Sequence, residues 1–260
     1  MKRLDGREVA GFIQERHAGI VRGMHVKPRL VIVRQGATRA TDMYLRVKQR
    51  YGQELGIAVD VYTEAPTTLL QRIHELNDDA TVTGIAVELP FADEPELTDR
   101  ALAAVALSKD VDGLAPNTSF EVATPKAIRW LLAAYNVELK QRRIIVVGQG
   151  RLVGAPLADQ LQASGLEVVR ADEHTKDLAR VLIEGDIIIS ATGQAGLITT
   201  AMVKPGAVLV DAGAPKSDLD PTLYDRDDLA ITPNPGGVGP MTVAALFDNL
   251  LIAAQKKNAS

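Results

Sequence analysis

The chain contains no cysteine. That absence excludes disulfides, thiolate zinc sites and cysteine nucleophiles, and it accords with a cytoplasmic protein. Histidine is scarce too: the four present are scattered and form no H-x-x-x-H pair, so no metal centre is expected. Neither sign of charge dominates, since 29 Lys and Arg against 33 Asp and Glu leave a formal net charge of −4. With the two signs interspersed, the chain offers no electrostatic footprint for nucleic acid. No apolar run approaches the roughly 18 residues of a membrane span, and the opening MKRLDGREVAGF lacks the apolar core of a signal peptide. The expectation is a soluble, unprocessed chain without a membrane partner. Its 260 residues suit one large or two ordinary domains with a substantial core.

What the sequence does contain centres on RIIVVGQGRLVGAP, Arg143 to Pro156. The apolar, β-branched run Ile144 to Val147 suits a parallel strand covered on both faces, and a helical pattern follows over Leu152 to Gln162. Between them stand Gly148, Gly150 and Gly154. Gly148 permits a tight turn, and the missing side chain at Gly150 lets a pyrophosphate approach the amide end of the helix. The spacing is G-x-G-x-x-x-G, one residue longer at its end than the commoner fingerprint, and taken alone it describes a plain strand-to-helix turn as often as a phosphate site. Asp172 lies 24 positions after Gly148, near the ~20-residue interval at which an acid meets a ribose 2′-OH in dinucleotide folds.

Upstream, residues 7–24 predict an amphipathic helix with Val9, Phe12, Ile13, Ile20 and Val21 on its apolar side. Strands are expected at Arg29 to Arg34, Ala58 to Tyr62 and Thr83 to Leu89, and helices at Thr38 to Gly56 and Thr67 to Leu76. In the first of those helices Tyr44 and Lys48 stand at i and i+4 and share a face. An aromatic ring able to stack on a heterocycle, one turn from an ammonium, makes a catalytic pair, although on spacing alone a surface lysine beside a half-buried tyrosine is the commoner outcome. Glu88 ends an otherwise apolar strand, where open parallel sheets bind ligands. In KDVDGLAPN, Lys109 to Asn117, extended backbone would point Asp110 and Asp112 to opposite sides. Downstream, strands at Glu167 to Arg170, Asp186 to Ser190, Ala207 to Asp211 and Leu229 to Thr232 alternate with helical or turn segments, as a parallel sheet requires.

Taken in order, Tyr44-x-x-x-Lys48, VELP, KDVDG, ATP at Ala123 to Pro125, VVGQGRLVGAP and TPNPGGVGPMT at Thr232 to Thr242 resemble the methylenetetrahydrofolate dehydrogenase/cyclohydrolase family of the FolD type. The resemblance covers nearly the whole chain, and PGGVGPMT is its most specific piece. It implies an α/β protein of two domains with a folate cleft between them: residues 1–122 with 242–260 as the folate-binding catalytic domain, and 123–241 as the Rossmann-like NAD(P) domain. The helix at Val122 to Tyr135 would carry the chain across, and the one at Thr242 to Gln255 would return it. The implied activity is oxidation of methylenetetrahydrofolate to methenyltetrahydrofolate with NAD or NADP, then hydration to the formyl form, by a homodimer. Tyr44 would lie against the folate, Asp112 would bond the pterin edge, and Lys48, supported from the position of Glu88, would handle protons. Pro235, Gly236 and Gly237 would close over the substrate. Gly148, Gln149, Gly150, Arg151, Gly154, Asp172, Glu173, Thr175 and Ala214 would surround the dinucleotide.

Four departures from the family pattern fall at these positions. VELP replaces V-Q-L-P, so that Glu88 stands where a glutamine is usual. Gly148-Gln149-Gly150 replaces G-R-S, Asp172-Glu173 replaces H-S, and Asp211-Ala212-Gly213-Ala214 replaces D-V-G-I. Two acids at 172 and 173, with no arginine at 149, would repel a 2′-phosphate, and NAD is expected to serve at least as readily as NADP. Arg151 and Arg170 are the nearby residues able to oppose that preference.

Overall fold

The computed structural model describes the chain apart from residues 37–38, 90, 92–93 and 260, and apart from the side chains at 39–40 and 258–259. The expected helix start at Thr38, the Pro90 of VELP and the terminal Ser260 therefore lie outside the described residues. The elements in chain order are β1 (Lys2–Arg3), α1 (Gly6–Arg22), β2 (Arg29–Gln35), α2 (Arg39–Leu55), β3 (Ala58–Glu64), α3 (Pro66–Asp78), β4 (Gly84–Glu88) and α4 (Pro95–Ala104). There follow α5 (Ala123–Ala134), β5 (Ile144–Val147), α6 (Gly154–Ala163), β6 (Val168–Ala171), α7 (Leu178–Leu182), β7 (Ile187–Ser190), β8 (Val208–Asp211), β9 (Ala230–Ile231) and α8 (Val238–Ala259). They fall into two compact units, Phe12–Ala123 with Val243–Ser260, and Met1–Gly11 with Thr124–Thr242.

In the first unit β3, β2 and β4 form a parallel sheet in that order. Val31, Val33, Ile85 and Val87 present one apolar face, and Leu69, Ile73 and Leu76 of α3 and Ala101 and Leu102 of α4 cover it. Each such side chain, fully buried, stabilises the unit by roughly 1.5–3 kcal/mol before the chain entropy is counted. Helix α1 departs from its expected pattern. Val21 is buried as expected, but Phe12 is 66% exposed and the polar His17 is buried. His17 is satisfied there because its ring nitrogens meet the Tyr51 hydroxyl at 3.0 Å and Asp248 at 3.3 Å, and a burial made tolerable by partners from other helices leaves no trace in hydrophobic periodicity.

The second unit holds a six-stranded, all-parallel sheet in the order β1-β9-β8-β7-β5-β6. From β5 the chain steps to β6 on one side, then returns past β5 to β7 on the other. The order thus reverses between β5 and β7, the topological switch point at whose carboxyl end such sheets bind ligands. The strand β1, unmarked in the sequence because it is two residues long, pairs with β9 and draws the amino terminus into this unit. Helix α8 begins four residues before its expected start at Thr242. It is long and apolar enough by length and composition to cross a membrane, although Asp248 and Asn249 interrupt its apolar run. Its most apolar window is 67% buried within the protein, however, as in the core helix of a folded domain.

Candidate active site

Lys48, Glu88 and Asp112, singled out in the first half of the chain, meet electrostatically. The Lys48 ammonium on α2 donates to the Glu88 carboxylate at the end of β4 at 2.6 Å, with both side chains only 12–13% exposed. Burial opposes the ammonium, but the carboxylates of Glu88 and Asp112 outweigh it, and the lysine pKa is raised above its ordinary value. For Asp112 burial is the largest influence and raises the pKa. Lys48 pulls it back, Glu88 and Asp110 add to the rise, and a hydrogen bond from the Val87 amide opposes it, leaving the carboxyl pushed up to about 7. Tyr44, one turn before Lys48, is 38% exposed. A buried lysine shared by two carboxylates, one of them titrating near neutrality, can both polarise a bound group and exchange a proton with it.

Local chemistry fixes this cluster. Arg34 at the end of β2 donates to Asp42 in the first turn of α2 at 2.5 Å, tying the helix to the strand that neighbours β4. The KDVDG segment runs beside β4, with the Ile85 amide donating to Lys109 O at 2.7 Å and a parallel bridge between Ile85 and Asp110. Residues 111–113 form a turn and bend rather than the expected extended run. Asp110 turns into its own loop, where it accepts from the amides of Gly113, Leu114 and Ala115. Gly113 must lack a side chain, because its φ is +74° and a Cβ would come within 2.6 Å of Glu121 backbone. The buried Asn249 of α8 then donates to both Val111 O and Glu121 O. Asp110 and Asn249 are thus supports of Asp112, and Asn249 carried no role in the sequence pattern. The available signal was a lone amide in the apolar run of α8.

At the switch point of the six-stranded sheet, the glycines divide their roles. Gly148 has φ +86°, and a Cβ on it would lie 2.6 Å from Ala191 O, so the turn and the next loop need it. A Cβ on Gly154 would lie 1.7 Å from Gly148 O, which forces glycine where α6 starts; the expected helix start at Leu152 is therefore a turn. Around Gly150 a Cβ would meet nothing within 4 Å, and no side chain caps the amino terminus of α6. That open position before an uncapped helix end fits a dinucleotide pyrophosphate. Gln149 folds back, its amide donating to Val146 O at 3.0 Å.

Asp172 follows β6, the strand beside β5, and closes a turn by accepting from the His174 amide at 2.9 Å while its own amide donates to Thr175 Oγ1 at 2.9 Å. Glu173 and Arg151 are exposed. Arg170 is held by Asp159 and Gln162 of α6 at 2.5 and 2.6 Å. Ala214 precedes a cis proline in the loop after β8, and a second cis bond joins Asn234 to Pro235. Pro235 is exposed, whereas Gly236 and Gly237 are buried. Gly236 O accepts from the amides of Gly6 and Arg7, and a Cβ on Gly6 would lie 1.8 Å from Gly237 O. The two glycines therefore serve at least to seat the start of α1.

Residues 4–112 match the model of the tetrahydrofolate dehydrogenase/cyclohydrolase catalytic domain, and residues 122–258 that of the NAD(P)-binding domain of the same family. The bifunctional protein FolD of Listeria innocua is 34% identical over 97% of both chains. Among solved structures, the bifunctional FolD dehydrogenase/cyclohydrolase of Campylobacter jejuni superposes with a TM-score of 0.90 at 31% identity, covering 99% of each chain. The Trypanosoma brucei FolD, solved with NADP cofactor and inhibitor, gives 0.90 at 27% identity over 98% of each. Matched in both domains and along nearly its full length, the chain belongs to the tetrahydrofolate dehydrogenase/cyclohydrolase family.

Proposed function

We propose that this chain oxidises 5,10-methylenetetrahydrofolate to the 5,10-methenyl cation with a nicotinamide dinucleotide, and then hydrates that cation to 10-formyltetrahydrofolate. Membership of the family supports the pair of reactions, and the observation that carries it to this chain is the 2.6 Å Lys48–Glu88 contact with Asp112 in electrostatic reach. By the family resemblance the folate domain is residues 1–122 with 242–260 and the dinucleotide domain is 123–241, except that Met1–Gly11 pack with the latter. Tyr44 lies against the folate. Asp112, as a carboxylate, accepts from the pterin amine, and Lys48 orients the reacting nitrogen and carbon and handles the proton. The dinucleotide supplies a hydride acceptor. Hydration adds water to the methenyl carbon, releases one proton and opens the ring at a nitrogen, leaving the carbon as a formyl group.

For the dinucleotide, Gly148, Gln149, Gly150, Arg151 and Gly154 form the phosphate turn, Asp172, Glu173 and Thr175 flank the ribose, and Ala214 stands in the loop after β8. NAD serves at least as well as NADP, because Asp172 and Glu173 would face a 2′-phosphate while Arg170 is engaged on α6. Pro235, Gly236 and Gly237 border the substrate. The family resemblance also supports a cytoplasmic homodimer. Methenyltetrahydrofolate supplied without dinucleotide tests the second reaction. Its absorbance should fall faster with protein than in buffer, and a rate equal to that of buffer would reduce the function to dehydrogenation alone.

A further inference from the structure

The second unit contains two buried carboxylates for which the reactions above assign no task. Asp218 is fully buried and Asp211 is 6% exposed. Asp218 Oδ2 accepts from the Ser190 hydroxyl at 2.6 Å and from the Thr192 amide at 2.7 Å, while Oδ1 makes no hydrogen bond. Its amide donates to Asp211 Oδ1 at 3.2 Å. Asp211 in turn accepts from the Gly213 amide at 2.9 Å and from the Asn234 side chain at 2.9 Å, and its own amide donates to Thr232 Oγ1 at 2.8 Å. Gly213 is needed for this closeness, because a Cβ there would meet Asp218 Oδ1 at 2.3 Å.

Burying a carboxylate costs several kcal/mol unless donors replace the lost water. Here those donors come from three loops, which follow β7, β8 and β9 at the carboxyl end of the sheet. The first of them also touches the phosphate turn, since Gly148 packs on Ala191. One connected set of bonds thus runs from the switch point between β5 and β7 across to the loop after β9. Any ligand seated at that end of the sheet must find the three loops in register.

We propose that Asp218 is the positioning residue for dinucleotide binding: it fixes the loop after β7 to the loop after β8 without touching the dinucleotide, while Asp211 separately holds the loop after β9. This rests on the dinucleotide reading above, and it predicts a division that a purely structural role would not produce. Dinucleotide affinity should depend on the Asp218 contacts to Ser190 and Thr192, whereas methenyl hydrolysis, which consumes no dinucleotide, should not, because the loop after β9 that borders the substrate is held by Asp211 through Asn234.

The test measures equilibrium NAD and NADH binding by calorimetry, methenyl hydrolysis without dinucleotide, and thermal unfolding, for the parent, Ser190→Ala, Asp218→Asn and Asp218→Ala. Hydrogen bonds to charged groups are among the stronger ones, so Ser190→Ala should weaken binding about tenfold. Asp218→Ala should weaken it further. Asp218→Asn, whose carbonyl oxygen can still accept from Ser190 and Thr192, should fall between the parent and Asp218→Ala. Hydrolysis should stay within about twofold of the parent in every folded variant, a change smaller than half a kcal/mol. If Asp218→Ala does not fold, Ser190→Ala carries the test, since it removes one hydroxyl and leaves the carboxylate. Folded variants that bind dinucleotide like the parent, or that lose binding and hydrolysis in equal proportion, would overturn the proposal. A parent that binds no dinucleotide would instead overturn the reading beneath it.

Discussion

Replacing Glu88 by glutamine removes a charge from the Lys48 pair while keeping a side chain of the same shape. Two unit charges about 4 Å apart interact by about 4 kcal/mol at an effective dielectric of about 20. That attraction is one of the influences that hold the Lys48 pKa above its ordinary value. Residual exposure of both side chains screens part of this, and without the Glu88 charge the lysine pKa should fall. Below its pKa, each unit of fall multiplies the neutral amine tenfold. If hydration draws on that neutral amine and hydride transfer only on polarisation, Glu88→Gln should raise the cyclohydrolase-to-dehydrogenase ratio about tenfold at fixed pH and shift the pH-dependent rise of hydrolysis downward. Asp112, now pushed up to about 7 in part by Glu88, should also titrate at lower pH, because the three groups share their protons. Parallel pH–rate profiles of both reactions measure this. An unchanged or lowered ratio, with the hydrolysis profile unmoved, would refute the reasoning.

Four further outcomes are expected. Lys48→Met should remain folded by circular dichroism yet lose methenyl hydrolysis by on the order of 10²- to 10⁴-fold. Because the Asp112 carboxyl titrates at about 7 and only its ionised form accepts from a pterin amine, KM for the folate should rise as pH falls through 7, and in Asp112→Asn it should be high and flat. Gly150→Ala should unfold at the parent temperature but bind dinucleotide weakly, whereas Gly154→Ala, whose new methyl would fall 1.7 Å from Gly148 O, should lower the unfolding temperature itself. Asp172→Ser should improve the rate with NADP relative to NAD, and a strong NADP preference already present in the parent and unaltered by the substitution would remove the argument from Asp172.

Much of the fold was legible because buried parallel strands write themselves as β-branched runs. Ile144–Val147 matched its expected bounds, and the other main strands were displaced by only one or two residues at an end. Periodicity failed where burial was bought with hydrogen bonds: His17 sits in the core because Tyr51 and Asp248, distant in sequence, satisfy its ring. The two-residue β1 was too short to carry a pattern. At the site, the i, i+4 spacing placed Tyr44 and Lys48 on one helix, but it could not bring Glu88 to 2.6 Å from Lys48. That meeting depends on the pairing of β2 with β4. Asn249 and Asp218 were invisible for a related reason, since their importance lies in loops that adopt their contacts only after the sheets have formed.

Folate dehydrogenation with a dinucleotide is tested most directly by measuring methenyl formation by absorbance from methylenetetrahydrofolate with NAD and with NADP in turn. The expected result is dinucleotide-dependent formation of the methenyl chromophore, with NAD at least as effective as NADP, and its loss when either substrate is omitted. A folded parent that binds methylenetetrahydrofolate and dinucleotide yet forms no methenyl product with either would contradict the account and leave the chain a folate- and nucleotide-binding protein without turnover.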